Sequence, residues 1–137
     1  MGLKMGKPKP KVPQDQNLTV LNASYSGTSF SVVNEDASPQ SVSFNGTGTR
    51  MFIVGNSTNS IYQYNLGTGF DVSTANYSGI SLDINSQDGS PTGGAFNSSG
   101  TRMFVVGMGD DKVYQYNFSS GFDLSTASFS GNSFDVS

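Results

Sequence analysis

The sequence predicts an all-β fold of tandem four-stranded antiparallel sheets, and three observations carry that expectation. The chain matches itself at an offset of 52 residues: Asp36–Asn85 aligns without a gap to Asp88–Ser137, with 26 of 50 positions identical. Each copy holds four short segments rich in β-forming residues, separated by Gly, Asn, Asp and Ser turns. Composition excludes the helical alternative. Only 12% of the 137 residues are charged, so Ser, Thr, Asn, Gln and Gly supply the polarity, and the Ala, Glu, Lys, Leu and Arg that a long charged helix needs are scarce.

Residues 1–17 read as a basic, Pro-rich extended arm. Residues 1–16 hold four Lys against one Asp, while residues 17–137 hold three basic against nine acidic residues. Pro8, Pro10 and Pro13 alternate with Lys9 and Lys11 and favour a polyproline-like course that brings little to a core. Such a segment is either a solvated tail or an arm that becomes ordered in a groove of another protein, its ammonium groups meeting carboxylates. The anchoring candidates are Lys4, Lys7, Pro8, Lys9, Pro10, Lys11 and Pro13. No nucleic-acid partner is expected, because four lysines without interleaved aromatics on an acidic chain are a poor phosphate footprint.

Residues 18–35 align with residues 70–87 and read as a partial copy, the outer strand of a blade. Repeat 1 spans residues 36–87 and repeat 2 spans residues 88–137. The strands of repeat 1 are expected at Gln40–Asn45, Thr49–Gly55, Ile61–Leu66 and Asn76–Ile84. Those of repeat 2 are expected at Thr92–Asn97, Thr101–Gly107, Lys112–Phe118 and Ser128–Val136. In the second strand Arg50, Phe52 and Val54 point one way and Met51 and Ile53 the other, so both faces carry bulk. In the fourth strand Tyr77, Ile80, Leu82 and Ile84 interleave with Ser78, Ser81 and Asp83, which suits an outer strand with a wet side. Four antiparallel strands, covered on both faces inside and polar outside, describe a β-propeller blade.

Little here suggests catalysis. The chain has no His and no Cys, which excludes imidazole bases, thiolate nucleophiles and most zinc sites. The Gly-rich turns before Arg50 and Arg102 lack the G-K-[ST] ending of a phosphate loop, and no helix is expected to follow them. Asp71/Asp123 and Asp83/Asp135 recur at the repeat spacing, and Asp110-Asp111 occurs in one loop. They match no calcium-loop pattern and read as turn formers. No catalytic residue, metal ligand or cofactor is therefore assigned. The repeated large residues are assigned instead to packing between repeats: Phe44, Arg50, Phe52, Tyr62, Tyr64 and Phe70, with their counterparts Phe96, Arg102, Phe104, Tyr114, Tyr116 and Phe122. The paired tyrosines could stack on a glycan, but the chain has no Trp, and packing is the favoured role.

The run G-T-R-M-F-[IV]-V-G, followed by [VI]-Y-Q-Y-N and then G-F-D, resembles the β-propeller repeats of bacteriophage tail and virion proteins and of large marine bacterial repeat proteins. The resemblance covers about residues 18–137. It implies propeller blades, and on that basis a non-enzymatic tail- or capsid-associated module whose arm docks on another virion protein. The expected location is the virion, with synthesis in the host cytoplasm, since the N-terminus lacks the apolar stretch of a signal peptide; no membrane insertion is expected. The alternative is a fragment of a secreted or surface carbohydrate-binding adhesin. A propeller enzyme of the lactonase or dehydrogenase kind ranks third.

Propellers close with about 4–8 blades, and this chain carries two and part of a third. Two resolutions stay open: a homo-oligomer, such as three chains closing a six-bladed ring, or a longer parent chain that continues the repeats.

Overall fold

The structure, a computed structural model, describes residues 21–137 and Gly6. The arm residues Lys4, Lys7, Pro8, Lys9, Pro10, Lys11 and Pro13 lie outside the described residues, and so does the start of the partial repeat. Eight strands follow in chain order: β1 (Pro39–Phe44), β2 (Arg50–Gly55), β3 (Ser60–Leu66), β4 (Ala75–Asp83), β5 (Pro91–Phe96), β6 (Arg102–Gly107), β7 (Lys112–Phe118) and β8 (Ala127–Asp135). They form two antiparallel four-stranded meanders, β1-β2-β3-β4 and β5-β6-β7-β8, one per repeat. Observed strand ends fall within one residue of the expected ones.

The turns explain why the same residues recur. Between β1 and β2 the Asn45 side-chain carbonyl accepts from the Arg50 N–H at 3.0 Å, and Asn97 does the same for Arg102. Gly48 takes φ +70° in this turn, a conformation that L side chains rarely adopt. Between β3 and β4, Asp71 accepts from the Ser73 N–H at 3.0 Å and caps a short 3-10 turn at Val72–Thr74; Asp123 repeats this at Leu124–Thr126. The recurrent Gly-Phe-Asp sequence is thus a turn, with Phe70 and Phe122 themselves at φ +60° and +57°.

Two features depart from the expected pattern. The outer strand β4 carries a bulge: pairing runs from Gln63↔Ile80 to Tyr64↔Tyr77, which leaves Ser78 and Gly79 outside the ladder. Ser78 Oγ donates to the Gln63 carbonyl at 2.6 Å and stabilises the kink. The second departure concerns residues 21–35, expected as an outer strand, which carry no strand assignment. A strand needs a ladder, and no described strand lies alongside to supply one. This segment still ends as β4 ends: the Val32 carbonyl accepts from the Glu35 and Asp36 N–H groups, as Ile84 accepts from Gln87 and Asp88.

Each sheet presents two faces with bulk. The front face carries Arg50, Phe52, Val54, Ile61 and Gln63 in the first sheet, and Arg102, Phe104, Val106, Val113 and Gln115 in the second. The back face carries Phe44, Met51, Ile53, Tyr62 and Tyr64, and in the second sheet Phe96, Met103, Val105, Tyr114 and Tyr116. The front of the first sheet meets the back of the second. There Phe52, Val54, Ile61 and Ile84 form one apolar cluster with Met103, Val105, Tyr114 and Tyr116. A second cluster, Met51, Ile53, Tyr64, Leu66 and Ala75, lies on the back of the first sheet, and Phe30 and Val32 pack against it.

Candidate functional site

The joint between the two sheets gathers half of the twelve repeated residues: Arg50, Phe52, Phe96, Tyr114, Tyr116 and Phe122. Phe52 stacks obliquely on Phe96 with ring centroids 4.6 Å apart, and Phe96 continues to Phe118 and Phe122 at 5.4 and 5.1 Å. Aromatic contacts of this kind add roughly 0.5–1.5 kcal/mol beyond area burial. Gly94 faces the joint so closely that a Cβ there would stand 3.1 Å from Val54 Cγ2. Small residues on the inner strand let the sheets approach.

Near the inner strands Asn56 Nδ2 donates to Ser90 Oγ and to the Pro91 carbonyl at 3.1 Å, and the Gly94 N–H donates to Ser41 Oγ at 3.4 Å. Two further side chains, Arg50 and Gln63, cross the joint. Arg50 Nη1 donates to the Phe122 carbonyl at 2.7 Å. Gln63 is buried, and its side-chain carbonyl accepts from the Leu124 N–H at 2.8 Å. Both partners sit in the Gly-Phe-Asp turn of the second sheet. The strained backbone of Phe122 thus presents a carbonyl to an arginine, and the 3-10 turn after it presents an amide to a glutamine. The counterparts Arg102 and Gln115 stand at the far face of the second sheet, where Gln115 Nε2 donates to the Asn117 side-chain carbonyl at 3.2 Å.

The tyrosines of the third strands serve the back faces. Tyr64 Oη donates to Glu35 at 3.0 Å, and Tyr116 Oη donates to Gln87 at 2.9 Å. Burial of the rings pushes both phenols well above their ordinary value of 10.0, with hydrogen bonding to Glu35 adding to the effect at Tyr64. Tyr62 Oη donates to Thr58, and Tyr114 Oη donates to Asp110 at 2.7 Å. That last bond, with burial behind it, pushes Tyr114 up to about 12. Phe44 leans on Phe70 at 5.5 Å near the β1–β2 turn.

Sequence reading missed Asp36 and Asp88. Both are buried carboxylates that open a repeat in the pattern Asp-x-Ser-Pro. Asp36 accepts from the N–H groups of Ser38, Ser57 and Thr58 and from Thr58 Oγ1, tying the β2–β3 loop to the start of β1. Burial acts against its charge, but these hydrogen bonds outweigh it and hold the carboxyl below its ordinary value of 3.8. Asp88 accepts from Ser90, Gly109 and Asp110 in the same way. Gly55 and Gly107 leave the room that these carboxylates occupy. The signal was present: both Asp–Gly pairs recur at the repeat spacing.

The other acidic residues serve local turns and side-chain contacts. Asp71 and Asp123 cap turns, Asp83 and Asp135 accept from the backbone two residues on, and Asp110 holds Tyr114. Among the described residues no group of three or more His, Cys, Asp or Glu is placed to hold a metal ion. No described helix is long and apolar enough to cross a membrane.

Comparisons with known proteins add a likeness of fold. No protein-family model matches the chain, and no curated protein does. Among solved structures, the chain is similar to a Bacteroides uniformis protein provisionally named a 6-phosphogluconolactonase, with 15% sequence identity and a TM-score of 0.54. The match covers 79% of this chain and 30% of that one, so the two-sheet arrangement recurs within a longer polypeptide.

Proposed function

We infer that this chain is a non-enzymatic structural and interaction module built from propeller-type blades. One observation carries this reading: the polar residues repeated on the sheet faces, Arg50 and Gln63, are committed to backbone groups of the neighbouring sheet. Repeated positions therefore serve stacking, as they do in repeat arrays. The similarity to part of a longer protein supports an array of such sheets. The resemblance of the repeats to phage tail and virion proteins supplies the setting: a virion component, anchored to a neighbouring particle protein through the basic arm. A carbohydrate-binding surface module is the alternative setting.

Two measurements test the reading. Peptides of this chain are expected in purified virus particles, in stoichiometric amount; their absence from every particle fraction overturns the virion setting. The named activity of the Bacteroides protein supplies the second test. Hydrolysis of 6-phosphogluconolactone by the purified chain is expected to match the buffer rate. A faster rate that disappears in the Asp71→Asn/Asp123→Asn variant overturns the non-enzymatic reading.

A further inference from the structure

The two ends of the sheet pair carry the two halves of one joint. The front face of the first sheet is covered by the second sheet, whereas among the described residues nothing covers the front face of the second sheet. The same positions record the difference: Phe52 is 1% exposed and Phe104 37%, while Ile84 is 0% exposed and Val136 51%. Phe134, the counterpart of Leu82, is 72% exposed. Chemistry is nearly unchanged across these pairs; on the same face Asn132 stands in place of Ile80, and Gly93 and Ala95 in place of Ser41 and Ser43. The open face is also indented. One cleft of about 400 Å³ is lined by Gly93, Ala95, Phe104, Val106 and Val113, with Ser41 of the first sheet at its rim, and another of about 140 Å³ lies between Gln115 and Phe134.

The complementary half lies on the first sheet. Its back face carries Met51 and Ile53, the counterparts of the Met103 and Val105 that fill the joint inside the molecule. Its Gly-Phe-Asp turn carries Phe70 and Val72, the counterparts of Phe122 and Leu124. Phe70 holds the same strained backbone at φ +60° although it is 62% exposed. Strain of that kind persists where the surroundings use it, and in the second sheet it aims a carbonyl at Arg50.

We propose that the open face of the second sheet binds the back face of the first sheet of another copy of this chain, head to tail. Arg102 then donates to the Phe70 carbonyl, and Gln115 accepts from the Val72 N–H. Met51 and Ile53 enter the clefts beside Phe104. The contact is heterologous, since it joins two different surfaces of identical chains, and it extends an existing joint by the same step. Val42 replaces Gly94 on the inner strand, so the joint between copies is wider there than the joint within one.

One seat is contested. Phe30 and Val32 rest against the Met51–Ile53 face of their own chain, where Phe134 and Val136 of the arriving copy would rest. The two pairs are the same repeat position, 104 residues apart. β8 is held to β7 by a six-pair ladder, whereas residues 21–35 have no strand ladder. Residues 21–32 therefore leave first and act as a removable cap on the receiving face, while Glu35 stays on Tyr64 as Gln87 stays on Tyr116.

The proposal deepens the reading of the chain as an interaction module, and its test is independent of the setting. The chain has no Cys, so full-length Gln115→Cys and Val72→Cys chains each carry a single thiol. They are mixed and treated with a short bismaleimide. A cross-linked product is expected in the mixture and not in either chain alone. Phe104→Glu in the Gln115→Cys chain, a change at a part-exposed site, is expected to reduce the product by about tenfold or more. Light scattering of the unmodified chain reads the mass in parallel. A monomer without mixed cross-link overturns the proposal, as does efficient self-cross-linking of the Gln115→Cys chain, which signals a symmetric contact. Neither result bears on whether the chain is found in particles.

Discussion

Asp36 illustrates how one residue controls local order in this fold. Its carboxylate replaces water for three backbone amides and one hydroxyl, so removing it strands several part-buried donors. Asp36→Ala is expected to cost about 2–4 kcal/mol in denaturant unfolding, since each unmet buried donor costs roughly 1–3 kcal/mol. The pH dependence follows from the lowered folded-state value. The contribution is complete above the unfolded-chain value of about 3.9 and is lost as pH falls through the folded value. Asp36→Asn should therefore flatten the acid limb of the stability curve below about pH 4, read as the midpoint of urea unfolding against pH. The tyrosines act at the other end. Tyr64 and Tyr116 are raised in the folded chain, so their neutral forms stabilise it fully below about pH 10, and stability declines as pH rises beyond that. Phenylalanine at both positions is expected to shift the alkaline unfolding midpoint upward.

At the scale of the element, glycines with the same backbone sign do different work. Gly48 and Gly79 both have positive φ, +70° and +81°. A Cβ at Gly48 would run into the Phe70 ring and backbone, whereas one at Gly79 would meet open space. Gly79→Ala thus bears only the backbone penalty, about 1 kcal/mol, and Gly48→Ala is expected to cost clearly more than that. Parallel thermal melts of the two variants decide it; equal costs would mean that the β1–β2 turn does not seat the Gly-Phe-Asp turn. Strand positions were legible in the sequence because turn residues bracket every run of alternating bulk. The bulge at Ser78–Gly79 was not legible: a Ser-Gly pair inside a strand pattern fits an unbroken ladder equally well until the register with Gln63 is known.

For the whole molecule, the repeat makes an internal control. Phe52 and Phe104 are the same residue at the same strand position, one inside the joint and one on the open face. Phe52→Ala is expected to destabilise by about 3–5 kcal/mol and Phe104→Ala by less than about 1 kcal/mol in the monomer. The gap between the two, read by chemical denaturation at low concentration, measures what covering by a neighbouring sheet contributes. If Phe104→Ala proves as costly as Phe52→Ala, the second sheet does not depend on the first for its stability, and stacking is not what holds the array together.

The repeat itself, the four strands of each full repeat, the two-sided burial of β2 and the turn character of Gly-Phe-Asp are all legible in the sequence alone, because local pattern and periodicity decide them. Residue identity says that Arg50, Phe52 and Gln63 recur, but not that they differ from Arg102, Phe104 and Gln115. Identical residues fall in unlike environments because a sheet face is buried by whatever lies next to it, and neighbourhood is a property of the assembled chain. The same holds for Asp36, whose donors come from residues 38, 57 and 58, brought together only when β1 and β2 pair. Sequence sets which groups are available for burial; the contacts across sheets, far apart along the chain, set which of them are covered and which stay open for a partner.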